Sequence, residues 1–289
     1  MAKGYVFYNP LAGHGTDKAD IRDLELTTEI PLEFFDLTKF HPQDLLSTLA
    51  REDFIILCGG DGTLNRFINQ TEGHPIGNEI LYLPTGNGND FARELGKDIQ
   101  SRPFPITEYL KNLPTVRVNG RSFRFLNGIG FGIDGYCCEE GDRQKRISKK
   151  KINYTAIAVK GLLFHYKPTA ARVTVDGVTH TFEKVWLAPT MKGRFYGGGM
   201  IPTPAQNRKD EKGRLSVMVL GGTGKLKTLL RFPSLFKGEH IKYTDMVHIF
   251  QGNEITVEFD RPTPLQIDGE TISEITSYTA TAHNKAPLY

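Results

Sequence analysis

The chain has 289 residues, 36 of them Lys or Arg against 33 Asp or Glu, a formal charge of +3. At roughly 150 residues per domain that is about two domains, and with 39% apolar and 10% aromatic residues there is material for real cores and no signature of disorder. The near-neutral balance argues against a protein that holds nucleic acid by charge. The longest apolar runs, such as 54–58, fall far short of the ~20 residues of a membrane-spanning helix. Three cysteines argue against a disulfide framework and point to a reduced, cytoplasmic setting. The opening MAKGYVFYNP reads as a strand and a turn rather than a signal segment.

Taken along the chain, the first part alternates strand and helix. GYVFYN (4–9) is an apolar run followed by the turn-rich PLAGHG. FIILC (54–58) enters GGDGT, after which Leu64, Phe67 and Ile68 fall on one helical face. EILYL (79–83) enters PTGNGND, and the helix that follows ends at Gly96. Apolar strands alternating with helices predict a doubly wound parallel sheet covered on both faces. From about Arg121 the period changes to two. RVTVDGVTHTF (172–182) alternates about Asp176-Gly177, a hairpin signal. RLSVMVL (214–220) and EITVEF (254–259) are further strands, and helices are expected near 151–166 and 225–236. The fold class is therefore α/β, with an N-terminal parallel-sheet domain over residues 1–120 and a β-rich domain over 121–276.

Three glycine-rich segments, 9–15, 59–63 and 84–90, each lie between a strand and a helix, where open parallel sheets bind ligands. Glycine lets backbone N–H groups approach an anion, and the following helix N-terminus adds partial positive charge. Such a site suits phosphate. Each loop alone could equally be a tight turn, and it is their repetition that carries the reading. No P-loop lysine motif occurs, and GFGIDG (130–135) is followed some twenty residues on by Lys149 to Lys151, where a dinucleotide site needs an acid. Asp61 and Asp90, embedded in the cradles, point to a divalent cation that neutralises the phosphates.

GGDGTLNRFIN (59–69) closely resembles the signature of the diacylglycerol kinase catalytic domain, shared with sphingosine, ceramide and bacterial lipid kinases. NPLAGHG (9–15), LPTGNGNDFAREL (83–95), NGIGFGID (127–134), YGGGM (196–200) and IDGE (267–270) resemble that family's other elements in order and spacing. The resemblance implies an ATP-binding domain, a β-rich domain and a cleft between them, with residues 277–289 returning to the first domain. It implies that Asn9, Thr38, Gly60, Asp61, Gly62, Thr63, Leu64, Asn65 and Asn87 contact ATP. Asn87 stands where the family usually has a small hydroxyl residue. Asp61, Asp90 and Asp134 match aspartates that organise magnesium about the phosphates. Glu270 matches the proton acceptor, with Asp268 beside it and Asp61 as a rival base. The structural magnesium of bacterial members is in doubt, because Lys212 precedes Gly213; Asp210 is the remaining ligand for it, or an ammonium takes its place.

The expected reaction is transfer of the ATP γ-phosphate to a lipid hydroxyl, with diacylglycerol the default acceptor. A sphingoid base or phosphatidylglycerol as acceptor, an NAD kinase-like activity, and a non-catalytic lipid-binding role are the alternatives. The residues themselves leave Asp268-Gly269-Glu270 open between a β-turn and a catalytic loop, and the two readings are compatible. His14 reads as a loop residue, Cys137 and Cys138 as small buried side chains, and Trp186 as core. Six of the nine residues at 143–151 are basic, and the apolar stretch 154–166 follows them. The segment 225–238 again mixes leucines with lysines. This pattern suits peripheral contact with an anionic membrane surface, and equally an ordinary solvated helix. Open edges of the first sheet leave room for pairing with a second copy.

Overall fold

The computed structural model describes residues 2–12, 21, 24, 29–74, 76–147 and 152–283. The chain divides into two units, Met1–Leu113 and Pro114–Tyr289. In the first, strands β1 (Gly4–Tyr8), β2 (Leu32–Asp36), β3 (Phe54–Gly59), β4 (Glu79–Pro84) and the two-residue β5 (Phe104–Pro105) form a sheet in the order β2-β1-β3-β4-β5. The first four are mutually parallel and β5 closes the edge antiparallel. β3 is buried from Ile55 to Gly59, as a strand covered on both faces must be. Helices α1 (Gln43–Leu46), α2 (Asp61–Gln70) and α3 (Asp90–Glu94) lie between the strands. Leu64, Phe67 and Ile68 form the buried face of α2. Gly96, at φ +69°, ends the α3 segment in the left-handed conformation that glycine adopts without strain.

The strand order reverses between β1 and β3. The chain leaves β1 for β2 on one side and returns to β3 on the other, so the loops after β1 and β3 diverge at the sheet's carboxyl edge. That is where ligands bind in open α/β sheets.

The second unit is built on a ten-stranded, predominantly antiparallel sheet. In chain order it contains β6 (Thr115–Val118), β7 (Arg121–Arg124), β8 (Gly128–Phe131), β9 (Thr169–Val175), β10 (Val178–Val185), β11 (Thr190–Met191), β12 (Leu215–Leu220), β13 (Val247–Gly252), β14 (Glu254–Ile267) and β15 (Glu270–Thr281). β14 is the organising strand. Its first half pairs with β9, its last residues with β8, and it forms a long hairpin with β15. Phe131 stacks on Phe259 at 4.0 Å between ring centroids, joining two strands of this core. Helices α4 (Ile133–Ile147), α5 (Tyr154–Lys160) and α6 (Lys225–Arg231) belong to this unit. Trp186 is core, its indole N–H donating to the Thr223 carbonyl at 2.9 Å.

Two boundaries differ from the sequence expectation. The first unit ends at Leu113 rather than near residue 120, because β6 pairs with β15 and β7 of the second sheet. Of the segment 277–289, residues 277–281 continue β15 of the second unit. Ala282 then donates to the Asn253 carbonyl of the second unit, and 284–289 lie outside the described residues. Helix α4 is not evident from the sequence either, because its charged residues leave no clear apolar stripe for a periodicity reading.

Candidate active site

In the first unit two of the glycine loops are pressed against each other. A Cβ on Gly86 would stand 2.4 Å from the Gly60 Cα and 2.8 Å from Asn89 Oδ1, so only glycine fits this approach. The loop after β4 is held by its own Asn89, which is left-handed at φ +50°. It accepts from Gly86 N at 3.0 Å and donates to Gly86 O at 2.7 Å. Thr85 N donates to Gly59 O, and the buried Tyr82 hydroxyl donates to the same carbonyl at 3.0 Å. Burial, with Asp61 nearby, holds the Tyr82 phenol well above its ordinary range, so it stays a donor.

Asp61 joins these loops. Its carboxylate accepts Asp90 N at 2.9 Å and Phe91 N at 3.0 Å, capping α3 from the start of α2. Two aspartates, one half-buried and one buried, are thus brought side by side at the sheet's carboxyl edge. Across the switch point, Asn9 Nδ2 donates to Thr63 Oγ1 at 3.2 Å. Asn87 is exposed at the head of its loop, and Thr38 is exposed in the turn after β2, tied to Asp36. The Leu64 side chain is wholly buried and serves packing, which leaves its backbone for the expected contact. Gly13, His14 and Gly15 lie outside the described residues.

In the second unit the candidate carboxylates separate by role. Asp268 and Gly269, at φ +46° and +93°, form the two-residue turn between β14 and β15. The Asp268 carboxylate is buried and accepts three amides, Leu126 N at 2.5 Å, Asn127 N at 2.8 Å and Gly128 N at 2.9 Å. It is a clamp between the hairpin and the segment entering β8, not a free base. Asp176, in the corresponding Asp-Gly turn, does the same for Asn253 and Glu254. Glu270, the first residue of β15, stands exposed next to the clamp.

Asp134 sits in the first turn of α4. Burial pushes its carboxyl up to about 6, while the Gln266 amide, donating at 2.8 Å, opposes the shift. The carboxylate folds back over Gly130, where any Cβ would stand 1.8 Å from Asp134 Oδ2. The glycines of NGIGFGID therefore make room for packing rather than cradle a dinucleotide. The buried Tyr196 hydroxyl has no hydrogen-bond partner among the described residues, and Asp134 is one of the groups that hold its phenol neutral.

The Asp210 carboxylate is engaged by Arg214, through Nε at 3.2 Å and the backbone N at 3.0 Å. That interaction holds the Asp210 carboxyl below its ordinary range. Among the described residues no cluster of three or more His, Cys, Asp or Glu side chains could hold a metal by itself.

Residues 3–113 match the family model described as the diacylglycerol kinase catalytic domain. Residues 127–284 match the one described as the YegS C-terminal NAD kinase beta sandwich-like domain. The chain belongs to the diacylglycerol kinase catalytic-domain family. It is similar to YtlR of Bacillus subtilis, 25% identical over 240 residues that cover 75% of this chain and 73% of the relative. It is also similar to a diacylglycerol kinase of Mycobacterium tuberculosis, 24% identical over 251 residues, 82% and 79% of the two chains. A solved diacylglycerol kinase structure from Bacillus anthracis aligns over 97% of this chain and 94% of that one, at a TM-score of 0.61 and 21% identity. That likeness establishes the shared fold, a parallel-sheet unit followed by a β-rich one. The chain is accordingly a kinase of the diacylglycerol kinase-like family.

Several residues that matter to the family's loops are not singled out by the sequence. Asn89 and Tyr82 shape the glycine loops, Gln266 positions Asp134, and Arg208 donates to Leu126 O at 2.5 Å and to Asn127 Oδ1 at 2.9 Å. Only Asn89 carries a signal, since Asn among glycines favours the left-handed conformation.

Proposed function

We propose that this kinase transfers the γ-phosphate of ATP to the hydroxyl of a lipid, and that the acceptor is diacylglycerol, giving phosphatidate. The observation that carries the reading is the apposition of the two glycine loops with Asp61 bridging them. It places backbone amides, the N-terminus of α2 and two carboxylates at one edge of a parallel sheet. Backbone amides and a helix N-terminus suit the phosphates of a nucleotide. Asn9, Thr38, Thr63, Asn65 and Asn87 would complete the ATP contacts, and Leu64 would contribute through its backbone alone.

Asp61 and Asp90 fit magnesium bound together with a nucleotide, because this hard cation is commonly held by one or two carboxylates plus substrate phosphates. Bound there, magnesium supplies neutralisation of charge on the transferring phosphoryl group. Asp134 is a further carboxylate assigned to that network by its position in the family's motif.

The attacking alcohol needs a proton acceptor within hydrogen-bond reach. Both Asp61 oxygens accept amide N–H groups, and the Asp268 carboxylate takes three. Glu270 is exposed on the rigid end of a hairpin, and the role is assigned to it. Asp268 acts through it as a positioning residue.

The test is a substrate panel with purified protein, magnesium and γ-labelled ATP. Diacylglycerol, a sphingoid base, phosphatidylglycerol and NAD are each offered, the lipids in mixed micelles. Label in phosphatidate supports the proposal. Label only in another lipid moves the acceptor, and label only in NAD overturns the lipid-kinase reading.

A further inference from the structure

Helix α6 presents part of its apolar surface outward. Thr228, Leu229 and Phe232 turn toward the core, and Leu235 in the short helical turn that follows is fully buried. Leu226 and Leu230, four residues apart on the opposite face, are 72% and 80% exposed. Phe236 continues this outer face, half-exposed. Beside it lies the π-helical turn Gly161–His165, where Phe164 is 73% exposed. The two elements are tied together, since Lys225 Nζ donates to the Leu163 carbonyl at 2.9 Å. Large apolar side chains on two adjoining elements thus face solvent, which on a folded surface marks a binding site.

The segments that carry them are basic, and the nearest acids, Asp245 and Glu239, are each paired with a lysine. No acid occurs from Lys212 to Gly238, nor from Arg143 to Val175. Lys160 and Lys237 flank the apolar side chains and make no ion pair among the described residues. Lys227 is paired with Asp245, and the Arg231 guanidinium stacks over the Tyr243 ring at 3.6 Å. No helix of the described residues is long and apolar enough to cross a membrane. Outward leucines and phenylalanines rimmed by lysine fit the boundary between acyl chains and anionic headgroups. The outward side chains sit on helices and helical turns.

We propose that this face of the second unit is a docking surface for an anionic phospholipid bilayer. Leu226, Leu230, Phe236 and Phe164 enter below the headgroups, and Lys160 and Lys237 lie at the level of the lipid phosphates. The inference rests on the lipid-kinase reading for its purpose, since a diacylglycerol acceptor resides in the bilayer.

The test uses the full chain without nucleotide, in flotation with vesicles of phosphatidylcholine alone or mixed equally with phosphatidylglycerol. Wild type floats with the anionic vesicles, and added salt weakens the binding. Leu226→Ser/Leu230→Ser lowers partitioning by at least about tenfold, and Lys160→Glu/Lys237→Glu removes the preference for anionic lipid. All four positions are exposed, so an unchanged thermal transition will show that the variants fold. The leucine variant keeps wild-type phosphorylation in detergent micelles and loses it on vesicles. Equal flotation with neutral and anionic vesicles, or a leucine variant that binds like wild type, overturns the proposal. So does a doubled solution mass that the leucine variant abolishes without changing vesicle binding, because a second copy would then be the occupant. Failure of the lipid-kinase reading is separate: no lipid is phosphorylated in micelles, whatever the flotation shows.

Discussion

Replacing Asp268 by alanine strands three amides in a buried place. The carboxylate accepts Leu126 N, Asn127 N and Gly128 N at 2.5, 2.8 and 2.9 Å and is only 5% exposed. Hydrogen bonds to a charged group contribute about 1.5–3 kcal/mol each, but three on one carboxylate are not additive. Alanine also fits poorly at φ +46°, at a cost of about 1 kcal/mol. The expected loss is roughly 3–5 kcal/mol, the scale for removing one partner of a buried ionic interaction. For a unit of this size each kcal/mol moves the transition by about 2–4 °C, so it should fall by roughly 10 °C. Asparagine tolerates this backbone and keeps one acceptor oxygen, so Asp268→Asn should lose about half as much. Thermal unfolding followed by circular dichroism reads both. A transition within about 2 °C of wild type for Asp268→Ala would refute the clamp, since three unmet buried amides cannot be that cheap.

Three further outcomes follow from the same geometry. Glu270→Gln should lower kcat by about 10²–10⁴-fold with an unchanged thermal transition, because Glu270 is exposed; a mostly retained rate would remove it as proton acceptor. Gly86→Ala drives a Cβ to 2.4 Å from the Gly60 backbone and should weaken nucleotide binding by about tenfold or more while costing about 1–3 kcal/mol of stability, which calorimetry and urea unfolding would separate. Asp134 has a raised carboxyl, about 6 against an ordinary 3.8, so its contribution is fully present below about pH 3.8 and lost as pH rises through about 6. In metal-free protein, wild type should therefore lose stability relative to Asp134→Asn between about pH 4 and pH 7; a constant difference in urea unfolding would contradict this.

The strands β1, β3 and β4 are legible because they are short apolar runs that enter glycine-rich loops, and Leu64, Phe67 and Ile68 lie on the face that the spacing indicates; β2, LEFFD, has no such glycine loop after it and is not evident from the sequence. The Asp-Gly turns are legible too, since local chemistry dictates that backbone. What the Asp268 carboxylate does is not, because its donors lie some 140 positions away in the chain. The same holds for the unit boundary: Thr115–Val118 looks like a continuation of the first part until β15 pairs with it. The pairing of Arg214 with Asp210 is likewise visible only in the folded loop. Residue types at a turn or a loop are local information; which of them is consumed by structure is not.

The measurement closest to the central claim is transfer of label from γ-labelled ATP to diacylglycerol in mixed micelles by the purified chain with magnesium. The account predicts labelled phosphatidate from wild type and nearly none from Glu270→Gln at an equal folded fraction. Unlabelled lipid with wild type, under conditions where the protein is folded and binds ATP, would contradict it.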